Sequence, residues 1–280
     1  MSFKAEQRDI DYLLSNKLYE IPRNQRRYVW NKDNWDDLWS DLEFIVKNLQ
    51  YGKRHFLGSI VLREEDKVIG IQRYTIIDGQ QRIITIILFM SALVGVLKEH
   101  ELDDDFKGTI TKLIIKDLKN QDNCVLHSDF HTCIGDIVLK VCDSNDKRPF
   151  KELLESCIVN KKDDKNIRQC CLYFYDKLKN LDIEKILLLR DMMLGTSYVD
   201  IVATTDEDSY TIFEILNARG QELEDHELVK NFVMRYIQPQ ELAKVDRVKS
   251  DWEIYIDRQL GTSVKRFFSH YSVHKYTERE

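Results

Sequence analysis

The stretch IIDGQQR, residues 76–82, and the apolar run IITIILFMSALVGVL, residues 83–97, decide how the rest of the chain is read. The segment before them, residues 68–77 (VIGIQRYTII), is short and rich in β-branched residues, which predicts a strand. The apolar run is 15 residues long, short of the roughly 18 to 20 needed to cross a bilayer, and predicts a buried core helix. Residues 78–82 therefore occupy a strand-to-helix turn, with their amides at a helix N-terminus where backbone geometry favours anions. Outward from this turn, residues 55–62 (HFLGSIVL) read as the hairpin partner of the strand, across a polar turn at residues 63–67.

Upstream, the pattern predicts a short helix over about residues 5–15, with Ile10, Leu13 and Leu14 on one side, and an extended segment leading to Pro22. A longer helix follows, capped by Asn31 or Asp33, with Trp35, Leu38, Trp39, Leu42, Ile45, Val46 and Leu49 at helical spacing, and ending at Gly52. Downstream of His100 the character changes: an acidic link at residues 101–105 precedes a region of helical periodicity. Helices are expected over residues 150–154, 167–178, 183–193, 210–216, 227–236 and 245–256, with short strands at 124–126 and 198–203. The expected fold class is α+β: a small mixed core over residues 1–100 and a mainly helical region, 101–280, packed against it.

Composition narrows the function classes. The chain has 280 residues with 10 Gly and 3 Pro, is 43% hydrophobic and 32% charged, and so fits neither a collagen-like chain, a linker nor a turn-dense all-β protein. Its net charge of -6 means that contact with phosphate must come from a local basic cluster, not from the overall field. Residues 1–12 (MSFKAEQRDIDY) are polar and do not read as a secretory signal, and the six cysteines contain no CxxC pair. Reduced thiols in a cytoplasmic protein, with no membrane partner, are expected. Cys124, His127, His131 and Cys133 are residue types that bind zinc, but they lack a second paired knuckle. They are read as buried thiols with surface histidines.

No GxxxxGK[ST], GxGxxG or HExxH motif occurs, which excludes P-loop, Rossmann and zincin sites at the motif level. Three polar segments stand out instead. In IPRNQRRYVW, residues 21–30, Arg23, Arg26 and Arg27 alternate with Gln25, Tyr28 and Trp30. Guanidinium forks bind phosphate oxygens and aromatic rings stack on bases, so nucleotide or nucleic-acid contact and a solvated loop anchored by Trp30 are both open. In the second segment, Asp78 can hold Mg2+, Gly79 permits close backbone approach, Gln80 and Gln81 can orient a water, and Arg82 can neutralise a phosphate. In the third, residues 213–223, a helix ends near Gly220 so that Asn217 and Arg219 project from its end, and Asp225 caps the next helix. Lys230 reads as an ordinary surface lysine. His55 and Ser59, which flank Gly58, fit either phosphate contact or packing.

These segments resemble the amino-terminal domain of GmrSD-type restriction endonucleases, whose core has the ParB/sulfiredoxin-like fold. The resemblance is carried by IPRNQRRYVW, HFLGSIVL, IIDGQQRIITI and FEILNARGQELEDHELVKN, in the family's order, over about residues 8–236. It implies nucleoside-triphosphate binding and hydrolysis with Mg2+, coupled to recognition of foreign or modified DNA in anti-phage defence. On that reading Asp78, Gln80, Gln81 and Arg82 are catalytic, with Asp78 also the metal ligand. Gln25, Arg26, Arg27, Gly79, Asn217 and Arg219 bind the nucleotide, and Arg23, Arg26 and Tyr28 face DNA. Similar proteins cut DNA with a separate HNH-type nuclease domain; His270 and His274 do not build such a framework here, so cleavage is expected from a partner domain or subunit. A ParB-like module that binds DNA or nucleotide without turnover is the alternative.

Overall fold

A computed structural model of the chain describes residues 3–15, 17–22, 25–48, 55–68, 70–116, 122–127, 132–157, 164–217, 229–230, 233–234, 237, 246–260 and 263–277. It divides into two compact units, one formed by residues 1–22 and 27–213 and the other by 23–26 and 214–280.

The first unit is α+β, built on a six-stranded mixed sheet. Its strands are β1 (Phe3–Asp9), β2 (Lys17–Glu20), β3 (Phe56–Val68), β4 (Ile71–Asp78), β7 (Leu126–His127) and β8 (Ser197–Ala203), in the order β1-β8-β3-β4-β2-β7. Two further short strands, β5 (Ile114–Lys116) and β6 (Asp122–Cys124), pair as a separate ribbon. The strand expected near residue 200 is β8, and it enters the sheet between β1 and β3, antiparallel to the first and parallel to the second. Residues from both sides of the composition change near residue 100 thus share one sheet.

The helices are α1 (Ile10–Leu13), α2 (Lys32–Lys47), α3 (Gln80–Glu99), α4 (Asp103–Ile110), α5 (Thr132–Cys142), α6 (Phe150–Glu155), α7 (Asp164–Leu178), α8 (Ile183–Leu194) and α9 (Asp206–Asn217), the last crossing into the second unit. Every residue of α3 from Ile83 to Leu97 is buried. A helix that is apolar on all sides has to be enclosed, and α4 to α8 pack around α3 while Ile60, Leu62 and Ile76 of the sheet join the same core. By length and composition alone α3 passes as a membrane span, but its apolar surface is used inside the fold. Gly95 lets the Phe150 ring lie on the α3 backbone, and that ring stacks on Tyr175 with centroids 4.4 Å apart.

Several boundaries differ from the sequence expectation. Residues 5–9 are strand, not helix: β1 pairs with β8 from Phe3↔Ala203 to Asp9↔Ser197, and this long-range pairing overrides a polar sequence with little strand character. Only α1 remains of the expected helix, capped by the Asp9 carboxylate, which accepts from the Tyr12 amide at 3.0 Å. The hairpin turn falls at Gly70, where φ is +82°, and the charged residues 63–67 lie within β3. Arg63 and Glu65 project on one face of that strand, where Glu65 accepts from Arg63 Nε at 2.8 Å and from the Thr75 hydroxyl at 2.6 Å. Burial acts to raise the Glu65 carboxyl, but these hydrogen bonds hold it below the usual range. Asn31 caps α2 in a capping box with Asn34, and the helix closes at Asn48, ahead of Gly52, which lies outside the described residues. The acidic residues 103–105 form the first turn of α4, where carboxylates suit the helix dipole.

In the second unit the described helices are α10 (Arg247–Asp251), continued by a π-helical stretch (Trp252–Arg258), and α11 (Val264–Thr277). Trp252 and Phe268 stack with ring centroids 6.0 Å apart.

Candidate nucleotide site

The strand-to-helix turn predicted at residues 78–82 is formed: Asp78 ends β4 and Gly79 caps α3. Gly79 has φ +94°, a left-handed conformation that favours glycine, and a Cβ there would come within 3.0 Å of Ile60 Cγ1. The N-cap position of α3 is Gly79, which has no side chain to cap the helix. Gly58, opposite on β3, is also left-handed at φ +98°, and a Cβ on it would lie 3.4 Å from Arg82 Nη1. The two glycines therefore do related work: one brings β4 tightly past Ile60 into α3, and the other supplies a left-handed bend in β3 beside the Arg82 guanidinium.

Arg82 donates to the Ser59 carbonyl and forms an ion pair with Asp78 at 3.7 Å. Both side chains remain partly open, Arg82 at 26% and Asp78 at 32%. They form a polar, accessible pair at the carboxyl end of a sheet strand, beside the amino end of a long buried helix. Binding crevices of open α/β sheets commonly form in this position.

The two glutamines are buried. Sequence reasoning gave both the task of orienting water, but the hydrogen bonds of Gln81 give it another. Its Oε1 accepts from the Val29 amide at 2.8 Å and the Trp30 amide at 3.4 Å, and its Nε2 donates to the Arg27 carbonyl at 3.0 Å. Arg27 is thereby held at the first turn of α3.

Tyr28, expected to face DNA, is 1% exposed and cannot stack on a base. Its hydroxyl accepts from Trp35 Nε1 at 2.8 Å and lies 2.8 Å from Thr85 Oγ1 and 3.3 Å from Cys170 Sγ. Burial pushes the phenol well above its ordinary pKa. A tyrosine in an arginine-rich stretch looks solvent-facing in sequence; the available signal was Thr85, a hydroxyl in an otherwise apolar helix that needs a buried partner. Trp30 packs against the main core, as its anchoring role predicts.

His55 lies at the start of β3, with Nδ1 3.5 Å from the Asp41 carboxylate. Burial lowers its pKa against the opposing pull of Asp41. Gln25 and Arg26 group with the second unit, where Gln25 is half-buried and Arg26 exposed. Arg23, Arg219, Gly220 and Asp225 lie outside the described residues, as does the side chain of Asn217, whose backbone closes α9. Lys230 is half-buried.

Among the described residues no group of three or more His, Cys, Asp or Glu side chains is placed to hold a metal. His131 lies outside the described residues, as do the side chains of Cys124 and His127. Cys133 is a buried free thiol, like Cys142, Cys157, Cys170 and Cys171.

A family model for the GmrSD restriction endonuclease, N-terminal domain, matches residues 10–234. The chain belongs to this family. Membership makes it a component of the restriction class that the GmrSD name denotes. The Asp78–Arg82 turn, Gly58, the Gln81 contacts and α9 all fall inside the GmrSD match, whereas α10 and α11 fall beyond it. No curated protein matches the chain.

Proposed function

We propose that this GmrSD-family chain binds and hydrolyses a nucleoside triphosphate with Mg2+, as the regulatory part of a DNA-restriction system that senses foreign or modified DNA. The observation that carries the reading is Arg82: a partly open cation held by Ser59 and Asp78 at the amino end of α3. The amides of that end and the guanidinium together suit a phosphate group.

In this reading Asp78 holds Mg2+. A single carboxylate fits an ion that keeps several waters and takes its remaining ligands from nucleotide phosphates, the usual mode for this metal. The ion supplies charge neutralisation across the phosphates. Gln80 orients the attacking water, and Arg82 stabilises the charge that builds on the transferred group as water bonds to phosphorus and the bond to the leaving nucleoside diphosphate breaks. Gly79 lets the phosphates approach the backbone. Gln25, Arg26, Arg27, Asn217 and Arg219 contribute further nucleotide contacts, and Arg23 and Arg26 face DNA, a small basic patch in a chain whose net charge is -6. Cutting falls to an HNH-type nuclease domain or subunit, and the setting is cytoplasmic.

One observation favours a second reading, a ParB-like module that senses nucleotide or DNA without turnover. The Asp78 carboxylate already faces Arg82, which reduces the charge it offers a metal. Phosphate release separates the two: Mg2+-dependent release that Asp78→Ala or Arg82→Ala abolishes supports hydrolysis, and nucleotide binding without release supports sensing.

A further inference from the structure

Gln81 stands immediately before Arg82 of the proposed nucleotide turn, yet it is 8% exposed and directs its amide at the backbone of a distant segment. Residues 26–31 form neither strand nor helix, so their backbone groups need partners from elsewhere. One glutamine serves three of them, at Arg27, Val29 and Trp30. The same segment is fastened again through Tyr28 to Thr85, four residues further along α3, and the Thr85 hydroxyl donates back to the Gln81 carbonyl at 2.8 Å. Arg27 is also where the chain passes from residues 23–26, which group with the second unit, into the first.

We infer that Gln81 is a positioning residue coupling occupancy of the Asp78–Arg82 turn to the placement of the Arg27 segment. The helical turn that carries Gln81 also carries Arg82, whose 3.7 Å ion pair with Asp78 is the contact that a bound phosphate or metal would compete for. A ligand that draws Arg82 and Asp78 apart shifts this turn, and the Gln81 amide passes the shift to the backbone of residues 27–30. This inference rests on the nucleotide reading above for its trigger and on the hydrogen bonds alone for the clamp.

Hydrogen exchange on the full chain, read by mass spectrometry beside steady-state phosphate release, tests both parts. Without nucleotide, Gln81→Ala is expected to speed exchange at Val29 and Trp30 at least about fivefold, and Gln81→Glu, which keeps the acceptor oxygen, to restore their protection. Gln81→Met, of similar volume, covers the case in which the alanine variant does not fold. Unchanged exchange overturns the clamp. With Mg2+ and a hydrolysed nucleotide, wild-type protection at residues 27–30 is expected to change, and the KM of Gln81→Ala to rise about fivefold with a smaller change in kcat. A protein that hydrolyses nucleotide with no response at residues 27–30 and no change in KM overturns the coupling and leaves the nucleotide reading intact. Lost protection in Gln81→Ala, in a protein without any nucleotide binding or hydrolysis, overturns the nucleotide reading and the coupling with it.

Discussion

Gly95 and Gly70 differ in what a methyl group would meet, and this separates packing from backbone strain. At Gly95 an added Cβ would run into the Phe150 ring, lying 2.7 Å from Cε2, with Tyr175 stacked on the far side. At Gly70 nothing lies within 4 Å, and only the left-handed φ of +82° opposes a side chain. Gly95→Ala is expected to cost about 2–3 kcal/mol by overpacking and Gly70→Ala about 1 kcal/mol by strain, both read from urea denaturation. Lys17 offers a pH-dependent counterpart. Its ammonium donates to the Tyr12 carbonyl at 2.6 Å and lies over the Tyr12 ring; burial pushes its pKa down to about 8, with Asp200 pulling upward and Arg8 pushing the same way as burial. A lysine depressed in the folded state binds fewer protons there than in the unfolded chain between about pH 8 and its ordinary value of 10.5, so stability climbs as pH rises through that window. From pH 8 to about 9.5 the urea midpoint of the wild type is expected to rise relative to that of Lys17→Met, a comparison in which the buried thiols Cys157, Cys170 and Cys171, whose ionisation on unfolding lowers stability in both proteins, cancel.

Elements whose own residues specify them were legible, and elements specified by distant partners were not. α2 carries its cap, its apolar stripe and its first turn within one stretch of sequence, and it forms with Trp35, Leu38, Trp39, Leu42 and Ile45 buried. Asn31→Ala removes an oxygen that accepts from the Asp33 amide at 3.0 Å, and it is expected to lower stability by about 1 kcal/mol in thermal or chemical denaturation. β1 shows the converse. Nothing in FKAEQRD announces a strand; its partner lies almost two hundred residues later, and the pairing alone selects the conformation. The hairpin turn was misplaced for a related reason. Charged residues 63–67 suggest a turn, but the Arg63–Glu65–Thr75 cluster accommodates them within strands, and Gly70 supplies the reversal. The buried helix α3 was readable because an apolar run of that length has few other fates in a folded chain.

At the scale of the whole molecule, the residues of the candidate site stood out in sequence while their connections did not. The DGQQR turn, with Gly58 and Ser59 opposite, could be placed from local pattern, and the family match covers all of it. The link from Gln81 to the Arg27 segment, and the burial of Tyr28, depend on contacts more than fifty residues apart that no spacing rule reveals. These contacts make residues 27–30 and the turn parts of one arrangement within the first unit. The central claim, that the turn handles a nucleoside triphosphate, is tested most directly by phosphate release from purified protein with Mg2+ and each of the four common nucleoside triphosphates, wild type beside Asp78→Ala and Arg82→Ala of matched thermal stability. Release that requires Mg2+ and falls at least about a hundredfold in both variants is predicted; no release with any nucleotide, or release that both variants retain in full, would contradict the account.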